Sequence, residues 1–228
     1  MKTLFVVLPA FNESQVIREV LRKLKQELKK IKEFQSYVVV VDDGSSDKTS
    51  REAARGGSIV LRHVLNRGLG GALETGLTYA KRKNADILVT MDSDGQHDAK
   101  DIWPALQPIL ADQADVVIGS RQKGKRPLDR HLINLMSNVV TWLLFGIWSS
   151  DSQSGFRVFN HKAIRSIKIM TQEMEVSSEI FGEIKRNHLR FCEVPIRVIY
   201  TEYSRRKGQQ NLNGPRVLLK LIIRLFRS

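Results

Sequence analysis

Hydrophobic and polar positions divide the first half of the chain into short apolar runs that alternate with amphipathic stretches. A run without polar interruptions predicts a strand buried on both faces, and apolar residues at three- and four-residue spacing predict a helix. The predicted strands are residues 4–8, 37–41, 58–63, 87–91 and 114–120. The predicted helices are residues 16–31, 71–82 and 101–110. This alternation predicts an α/β fold in which a mostly parallel sheet has helices on both faces.

The start of the first helix has a signal of its own. Asn12 is followed three residues later by Gln15, which is the spacing of a capping box that opens a helix. The apolar residues of the helix begin directly afterwards, at Val16. We therefore expect the Asn12 side chain to cap this helix.

The second half has a less regular pattern. Residues 122–130 are basic and contain a glycine and a proline, which predicts a loop. Residues 132–148 follow as an unusually apolar helical stretch. Beyond it, the pattern predicts a helix over residues 175–187 and a strand over residues 191–200.

The last residues, 211–228, alternate apolar side chains with arginine and lysine. This pattern suits a helix that lies at a membrane surface, and packing against a core explains its apolar side equally well. No apolar run in the chain reaches the roughly 18 residues that cross a bilayer. We therefore expect one domain over residues 1–210, followed by a basic amphipathic segment over residues 211–228.

The charge of the chain is large and uneven. Its 228 residues include 37 Lys and Arg against 24 Asp and Glu, a net charge of +13. Residues 1–120 carry 17 basic and 16 acidic side chains, whereas residues 121–228 carry 20 and 8. Such asymmetry indicates a nucleic acid, a membrane or a phosphorylated ligand as partner, with a solvated basic surface as the alternative. No basic stretch interleaved with aromatic residues and no zinc-finger spacing supports nucleic acid.

Two aspartates follow the fourth predicted strand, as Asp92-Ser93-Asp94. In an extended chain, residues i and i+2 point to the same side, so both carboxylates can face one ligand at the carboxyl end of the sheet. Two oxygen donors suit Mg²⁺ or Mn²⁺, which bind through few carboxylates together with substrate phosphates. The single cysteine, Cys192, excludes a thiolate metal cluster. The alternative interpretation of the two aspartates is an ordinary turn at a strand end.

Two further motifs have both a chemical and a structural interpretation. Asp42 ends the second predicted strand, where its carboxylate would accept a hydrogen bond from a nucleobase or cap the turn at Gly44. Residues 66–71 are rich in glycine and precede a helix, so their amides would bind an anion or form a tight, closely packed turn. This run lacks the lysine of a phosphate-binding loop and the third glycine of a dinucleotide fingerprint, which excludes both of those classes.

Six motifs occur in a fixed order along the chain. They are LPAFNE (8–13), VDDGSSD (41–47), NRGLG (66–70), MDSDGQH (91–97), GSR (119–121) and DSQSGFR (151–157). Together they resemble family 2 of the inverting glycosyltransferases, in particular the polyprenyl-phosphate sugar synthases such as dolichol-phosphate mannose synthase. A weaker similarity continues through residues 193–196 and 203–208, although residues 208–211 read GQQN where close relatives often carry a Ser-Lys pair.

The resemblance implies a GT-A fold, a nucleotide-binding α/β sheet with a basic C-terminal part on the acceptor side. It also implies a nucleoside-diphosphate sugar as donor, bound with Mg²⁺ or Mn²⁺. The residues that it assigns to the nucleotide sugar are Pro9, Ala10, Asn12, Glu13, Asp42, Gly70 and Asp92. The residues that it assigns to the metal are Asp92, Asp94 and Gln96.

The resemblance assigns further residues to the acceptor and to the chemistry. Its candidates for binding phosphate are Arg121, Arg130, Arg206 and Lys207. Its candidates for catalysis are Asp151, Gln153 and Arg121. An acceptor hydroxyl would need a general base, for which Asp151 is the candidate, whereas a lipid phosphate is already anionic and needs cations that orient it. The basic side chains after residue 120 favour the lipid phosphate.

From the resemblance we expect a metal-dependent enzyme that transfers a hexose, with inversion, from GDP-mannose or a UDP-sugar to dolichyl or undecaprenyl phosphate. The expected location is the cytoplasmic face of a membrane, held by peripheral contact or by a separate membrane-anchoring protein. A saccharide or glycolipid hydroxyl is the alternative acceptor. Alternatives from other classes are a catalytically silent partner subunit and a protein that binds an anionic polymer.

Overall fold

A sheet covered by helices on both faces is the centre of the fold. The structure, a computed structural model, describes residues 1–121, 128–173, 175–199 and 203, and for residues 128–134 it describes the backbone alone. The strands in these ranges are β1 (Lys2–Ala10), β2 (Phe34–Asp42), β3 (Ile59–Arg62), β4 (Ile87–Thr90), β5 (Val116–Arg121), β6 (Arg157–Asn160) and β7 (Phe191–Ile196). They form one sheet in the order β3-β2-β1-β4-β6-β5-β7, in which β6 runs antiparallel to its neighbours and the other strands are parallel.

The helices form one layer on each face of the sheet. They are α1 (Ile17–Leu28), α2 (Thr49–Arg55), α3 (Gly68–Arg82), α4 (Ile102–Leu110), α5 (Leu128–Phe145), α6 (His161–Ser166) and α7 (Val176–Arg186). Buried side chains of α1, α2 and α4 pack on one face, and those of α3, α6 and α7 pack on the other. None of the helices in the described ranges has the length and apolar character needed to cross a membrane.

Burial on both faces explains why the strands read as unbroken apolar runs. In β1, Leu4, Val6 and Leu8 pack against the α1 and α4 layer, whereas Phe5 and Val7 pack against the α3 and α7 layer. Each of these side chains is buried, and such burial stabilises a fold by about 1.5–3 kcal/mol per large apolar side chain. The α/β sheet predicted from the sequence is therefore confirmed.

Three elements were not predicted from the sequence. They are α2, β6 and α6, which contain seven, four and six residues. The strand β6 begins with Arg157 and ends with Asn160, so it lacks the apolar run that marked the other strands. It forms because β4 and β5 leave a gap between them whose backbone groups β6 fills by antiparallel pairing.

Two local predictions differ from the structure. The helix α1 begins at Ile17 without a side-chain cap, and Asn12 instead adopts a positive φ of 54° and accepts a hydrogen bond from the Ser46 amide (3.0 Å). The loop predicted over residues 122–130 gives way to α5 at Leu128. Residues 122–127 of this loop, and the amphipathic segment 211–228 with its boundary, lie outside the described residues.

The parallel strands bring the motifs to one edge of the sheet. In register, Ala10 of β1 lies beside Asp42 of β2, and Val7 lies beside Thr90 of β4. The residues that follow these strands therefore meet at the carboxyl edge, where an α/β sheet binds its ligands.

At the opposite edge, Asp115 connects β5, β6 and β7. Its buried carboxylate accepts hydrogen bonds from the Arg190 amide (2.9 Å) and from Asn160 Nδ2 (2.9 Å). Burial opposes the ionisation of Asp115, but the hydrogen bonds from Arg190 and Asn160 outweigh it and lower the pKa well below its ordinary value. Because folding lowers this pKa, ionised Asp115 stabilises the fold above the unfolded value of about 3.9, and the contribution is lost as the pH falls through the acid range.

We expect Asp115→Asn to lower the free energy of unfolding at neutral pH by about 2–3 kcal/mol, because an amide nitrogen cannot accept the hydrogen bonds from Arg190. Urea denaturation measures the difference. Asp112 is exposed and pairs with Arg190 at 2.6 Å, so Asp112→Asn is the matched control and should cost less than about 1 kcal/mol. Equal stability of the wild type and Asp115→Asn, or a difference that widens below about pH 4, would contradict this prediction.

Candidate active site

The turn after β2 holds the first part of the site. The buried Asp42 accepts hydrogen bonds from the Ser45 amide (2.9 Å) and from the Ser50 hydroxyl. The Asp42 carboxylate therefore caps this turn, which was one of its two interpretations in the sequence. Its contact with a nucleobase stays a prediction.

The first motif is bound to the second by several hydrogen bonds. The amide of Asn12 donates to Ser45 Oγ (2.9 Å), and the amide of Glu13 donates to Thr49 Oγ1 (2.8 Å). Pro9 and Ala10 end β1 next to these residues. The candidates for the nucleotide sugar in β1 and after it are thus held together at one strand end.

Tyr203 brings the C-terminal part of the chain to this strand end. Its hydroxyl donates to Glu13 Oε2 (2.8 Å) across 190 residues of sequence. Burial and the Glu13 carboxylate raise the pKa of Tyr203 above its ordinary value, so the phenol stays protonated and keeps donating. The sequence contained Tyr203 only in the weaker part of the resemblance, without a role. Arg206 and Lys207, which follow it, lie outside the described residues.

The acidic pair lies at the end of β4. The Asp92 side chain is 43% exposed, and its Oδ2 atom lies 3.0 Å from His97 Nε2. The partial burial of Asp92 opposes its ionisation, but the hydrogen bond with His97 and nearby arginine charges lower its pKa. Asp94 accepts hydrogen bonds from the Gln96 amide (2.9 Å) and from Gln96 Nε2 (2.8 Å). Burial and the charge of Asp92 raise the pKa of Asp94 to about 6.

These residues have the chemistry of a divalent-cation site. Asp92 and Asp94 are close enough for one charge to oppose the other, and a cation between them would remove this repulsion. Within the described ranges, no three His, Cys, Asp or Glu side chains lie together as a metal cluster. The carboxylates of Asp92 and Asp94 and the amide of Gln96 offer oxygen donors, which fit an ion such as Mg²⁺ or Mn²⁺ that also takes substrate phosphates.

Gly155 allows the Asp92 carboxylate to lie against the chain that leads into β6. A Cβ atom at Gly155 would overlap Asp92 Oδ1, so no other residue fits there without movement. The Gly155 carbonyl accepts a hydrogen bond from Thr90 Oγ1 (2.9 Å), which fixes the two segments together.

Asp151 and Arg121 form a closely bonded ion pair. Asp151 Oδ2 accepts from Arg121 Nε (2.6 Å) and Asp151 Oδ1 accepts from Arg121 Nη2 (2.6 Å). The Asp151 side chain is 0% exposed. Both carboxylate oxygens thus face a guanidinium, so this Asp151 is poorly suited to take a proton from an acceptor hydroxyl.

A glutamate of β7 holds the loop that carries Asp151. Glu193 Oε1 accepts hydrogen bonds from Ser149 Oγ (2.6 Å) and from the Ser150 amide (2.8 Å). The sequence contained Glu193 only in the weaker part of the resemblance, without a role, because the contact joins residues more than 40 positions apart.

The glycine-rich run binds an anion from the chain itself. The Asp43 carboxylate accepts hydrogen bonds from the amides of Arg67 (2.8 Å) and Gly68 (2.8 Å), and the Gly71 amide donates to Gln172 O (3.2 Å). A Cβ atom at Gly70 would overlap the carbonyl of Thr171. The sequence left an anion site and a tight, closely packed turn as alternatives for this run, and the amides of Arg67, Gly68 and Gly71 are used within the fold. The contact of Gly70 with a nucleotide sugar stays a prediction.

Two candidates have less defined surroundings. Gln153 has a buried Nε2 atom that finds no hydrogen-bond partner in the described part of the chain. Arg130 lies in α5, in the part where the structure describes only the backbone. Their contacts with sugar and phosphate stay predictions.

Arg157 is a buried, charged residue that the sequence analysis named only as the end of the motif DSQSGFR, without a role of its own. It is 1% exposed, and its Nη2 atom donates to Ser177 Oγ (2.9 Å). Burial lowers the pKa of Arg157 to about 10, against the opposing influence of Asp92 and Asp151. The side chain therefore stays charged at neutral pH inside the protein.

Comparisons with known proteins agree with this fold and site. The model of glycosyl transferase family 2 matches residues 5–168. The chain is 34% identical to the UDP-N-acetylglucosamine–dolichyl-phosphate N-acetylglucosaminyltransferase of Methanococcus voltae, over 97% of this chain and 96% of that protein. It is 28% identical to the undecaprenyl-phosphate mannosyltransferase of Micrococcus luteus, over 93% of this chain and 90% of that protein.

A solved structure shares the fold. Glucosyl-3-phosphoglycerate synthase from Mycobacterium tuberculosis, in complex with Mn²⁺, UDP and phosphoglyceric acid, superposes with a TM-score of 0.68. The identity is 20%, and the match covers 96% of this chain and 78% of that one. The fold, with its acidic pair at a strand end, is that of a GT-A glycosyltransferase. The chain belongs to glycosyl transferase family 2, whose model covers most of its length.

Proposed function

We propose that this glycosyltransferase moves a hexose or N-acetylhexosamine from a nucleoside-diphosphate sugar to a polyprenyl phosphate, with inversion and with Mg²⁺ or Mn²⁺. The observation that carries the choice of acceptor is the pairing of Asp151 with Arg121 through both carboxylate oxygens. An acceptor hydroxyl needs a base, and Asp151 was the candidate for it. An acceptor phosphate needs no base, because it is already anionic. The names of the Methanococcus voltae and Micrococcus luteus relatives, both transferases to a polyprenyl phosphate, support this choice.

Different residues of the site would bind the donor and the acceptor. A divalent cation, when bound, would neutralise charge that develops on the departing nucleoside diphosphate. Asp92 and Asp94 would hold that cation, and Gln96 would complete the set with its amide. Arg121, fixed by Asp151, would present positive charge toward phosphate oxygens without having to reorganise during the reaction. Inversion then requires that the acceptor phosphate attack the anomeric carbon on the side opposite the leaving diphosphate.

A transfer assay tests the proposal. The purified chain is incubated with UDP-N-acetylglucosamine, UDP-glucose or GDP-mannose, each with Mn²⁺ and with dolichyl phosphate, undecaprenyl phosphate, dolichol or a glycolipid as acceptor. We expect a product with at least one donor and only with the phosphate acceptors, and we expect EDTA to abolish it. Transfer to the hydroxyl acceptors alone would replace the proposed acceptor. No transfer from any donor would favour the catalytically silent alternative.

The surface of α5 supports contact with a membrane. Five of its apolar side chains are exposed and fall within roughly 120° of the helix circumference, at 100° per residue. They are Leu135, Met136, Val139, Trp142 and Leu143. Ser137, Asn138 and Thr141 on the other face are buried. An apolar helix face with an exposed tryptophan suits the interface of a bilayer, where the polyprenyl chain of the acceptor would remain.

We expect the double substitution Trp142→Ser and Leu143→Ser to reduce binding to vesicles of phosphatidylglycerol and phosphatidylcholine by at least about fivefold, because these side chains are 48% and 59% exposed and would lose their apolar contact with lipid. Cosedimentation measures the binding. Trp103→Ser, on the exposed surface of α4 in the other layer, is the matched control and should bind as the wild type does. Equal binding by the double variant would move membrane contact away from α5.

A further inference from the structure

Arg157 lies between the two halves of the site. As the first residue of β6, it pairs with Thr90 of β4 on one side and with Ile118 of β5 on the other. β4 leads two residues later to Asp92, and β5 leads three residues later to Arg121. A buried arginine thus stands in the strand between the one that leads to Asp92 and the one that ends at Arg121.

The charges around Arg157 alternate in sign. Asp92 and Asp151 both stabilise the charged form of Arg157, and Arg121 opposes it. Ser177 accepts a hydrogen bond from Nη2, and none of the described residues accepts one from Nε or Nη1. A buried cation of this kind is costly unless anions balance it, so Asp92 and Asp151 act as its counter-charges.

This arrangement weakens the attraction of the acidic pair for a free divalent cation. The Asp92 carboxylate lies against Gly155, two residues before Arg157, and Arg157 itself pairs with Thr90, two residues before Asp92. Asp92 and Asp94 alone would present two negative charges to the cation, and the buried charge of Arg157 cancels part of that field. A nucleoside diphosphate reverses the balance, because its negative charge is attracted by the cation and by Arg157 together. The cation and the diphosphate therefore favour each other's binding.

We propose that Arg157 tunes this site so that a divalent cation binds tightly only together with the diphosphate of the donor. The inference rests on the proposed function, since it takes Asp92 and Asp94 as the cation site. It makes Arg157 a positioning residue that acts through charge and touches neither sugar nor acceptor. Arg157 could instead be purely structural and only hold β6 against α7 through Ser177. In that case its loss would weaken the binding of both Mn²⁺ and the nucleotide.

The test uses two calorimetric titrations at a mildly alkaline pH. The first titrates the protein with MnCl₂ alone, and the second titrates it with UDP or GDP in saturating MnCl₂. We expect Arg157→Met to bind Mn²⁺ alone about tenfold more tightly and the nucleotide about tenfold more weakly, from the loss of one buried charge. Arg157→Lys keeps the charge and should stay within about threefold of the wild type in both. Arg186→Met removes an equivalent charge from the exposed far end of α7 and should change neither affinity.

A damaged fold would weaken the binding of both ligands. Tighter binding of Mn²⁺ together with weaker binding of the nucleotide therefore cannot result from misfolding. Mn²⁺ binding by Arg157→Met that is unchanged or weaker, in a variant that unfolds cooperatively, overturns the inference and leaves the proposed function standing. If Arg157→Met does not fold, Arg157→Gln gives the second measurement, because it removes the charge and keeps an amide that can donate to Ser177. It should bind Mn²⁺ alone more tightly and the nucleotide more weakly, and the reverse result or no change overturns the inference. A wild type that binds no Mn²⁺ with or without nucleotide overturns the metal part of the proposed function instead.

Discussion

Asp94→Asn is expected to lower the rate of sugar transfer by about a thousandfold, because it removes one of two carboxylates that would hold the cation at the departing diphosphate. The same substitution should leave the free energy of unfolding unchanged or raise it. Burial and the charge of Asp92 raise the pKa of Asp94 to about 6, so its ionised form is less stable in the folded protein than in the unfolded chain. This cost is present at neutral pH and disappears as the pH falls below the unfolded value of about 3.9, where Asp94 is protonated in both states.

Initial rates of transfer to polyprenyl phosphate, together with urea denaturation, measure the two effects of Asp94→Asn. Glu33→Gln is the control, because it removes one negative charge from an exposed position before β2, at the other edge of the sheet. Activity that is lost without loss of stability assigns Asp94 to the chemistry. A variant with near-wild-type activity would exclude Asp94 as a ligand of a required cation.

Arg121→Met is expected to have the largest combined effect on activity and stability. It removes the cation that we propose faces phosphate, which we expect to cost about a hundredfold or more in rate. It also leaves the carboxylate of Asp151 in a buried position without its guanidinium, which costs about 3–5 kcal/mol of stability. Arg121→Lys keeps a charge and loses the two-point geometry, so it should fall between the wild type and Arg121→Met.

The double variant Arg121→Met with Asp151→Asn separates these two effects. Without either charge the buried pair is neutral, and most of the lost stability should return. The rate should not return, because the cation that faces phosphate is still missing. Recovery of activity in the double variant would mean that Arg121 serves only to neutralise Asp151, and it would remove Arg121 from the acceptor site.

Several of the motifs were readable because they stand at the ends of apolar strands, whereas DSQSGFR follows the helix α5 and leads into β6. The strand before Asp92 is buried on both faces, so its apolar residues stand out and mark where the chain reaches the sheet edge. Apolar strands likewise marked the position of Asp42, at the end of β2, and of the residues around Asn12, after β1. Sequence order therefore predicted which residues gather at the carboxyl edge, and the comparisons confirmed the family that the motifs resemble.

The roles of individual side chains were less predictable, because they depend on neighbours far away in sequence. Asn12 was expected to cap α1, and it binds the Ser46 amide instead because β1 and β2 end side by side. The amides of the glycine-rich run had two open interpretations, an anion site and a tight turn, and the amides of Gly68 and Gly71 bind Asp43 and Gln172. Each of these partners comes from another loop, which local patterns do not encode.

By itself, the sequence determined the α/β class, the position of the acidic pair and the membership of family 2, because apolar periodicity and ordered motifs are local properties. Only the tertiary structure decided that β6 lies between β4 and β5. That insertion buries Arg157 between β4 and β5, and the loop before β6 brings Asp151 to Arg121. The physical reason is that charges acquire their effect from distance and burial, and both are set by which strands pair across the sheet.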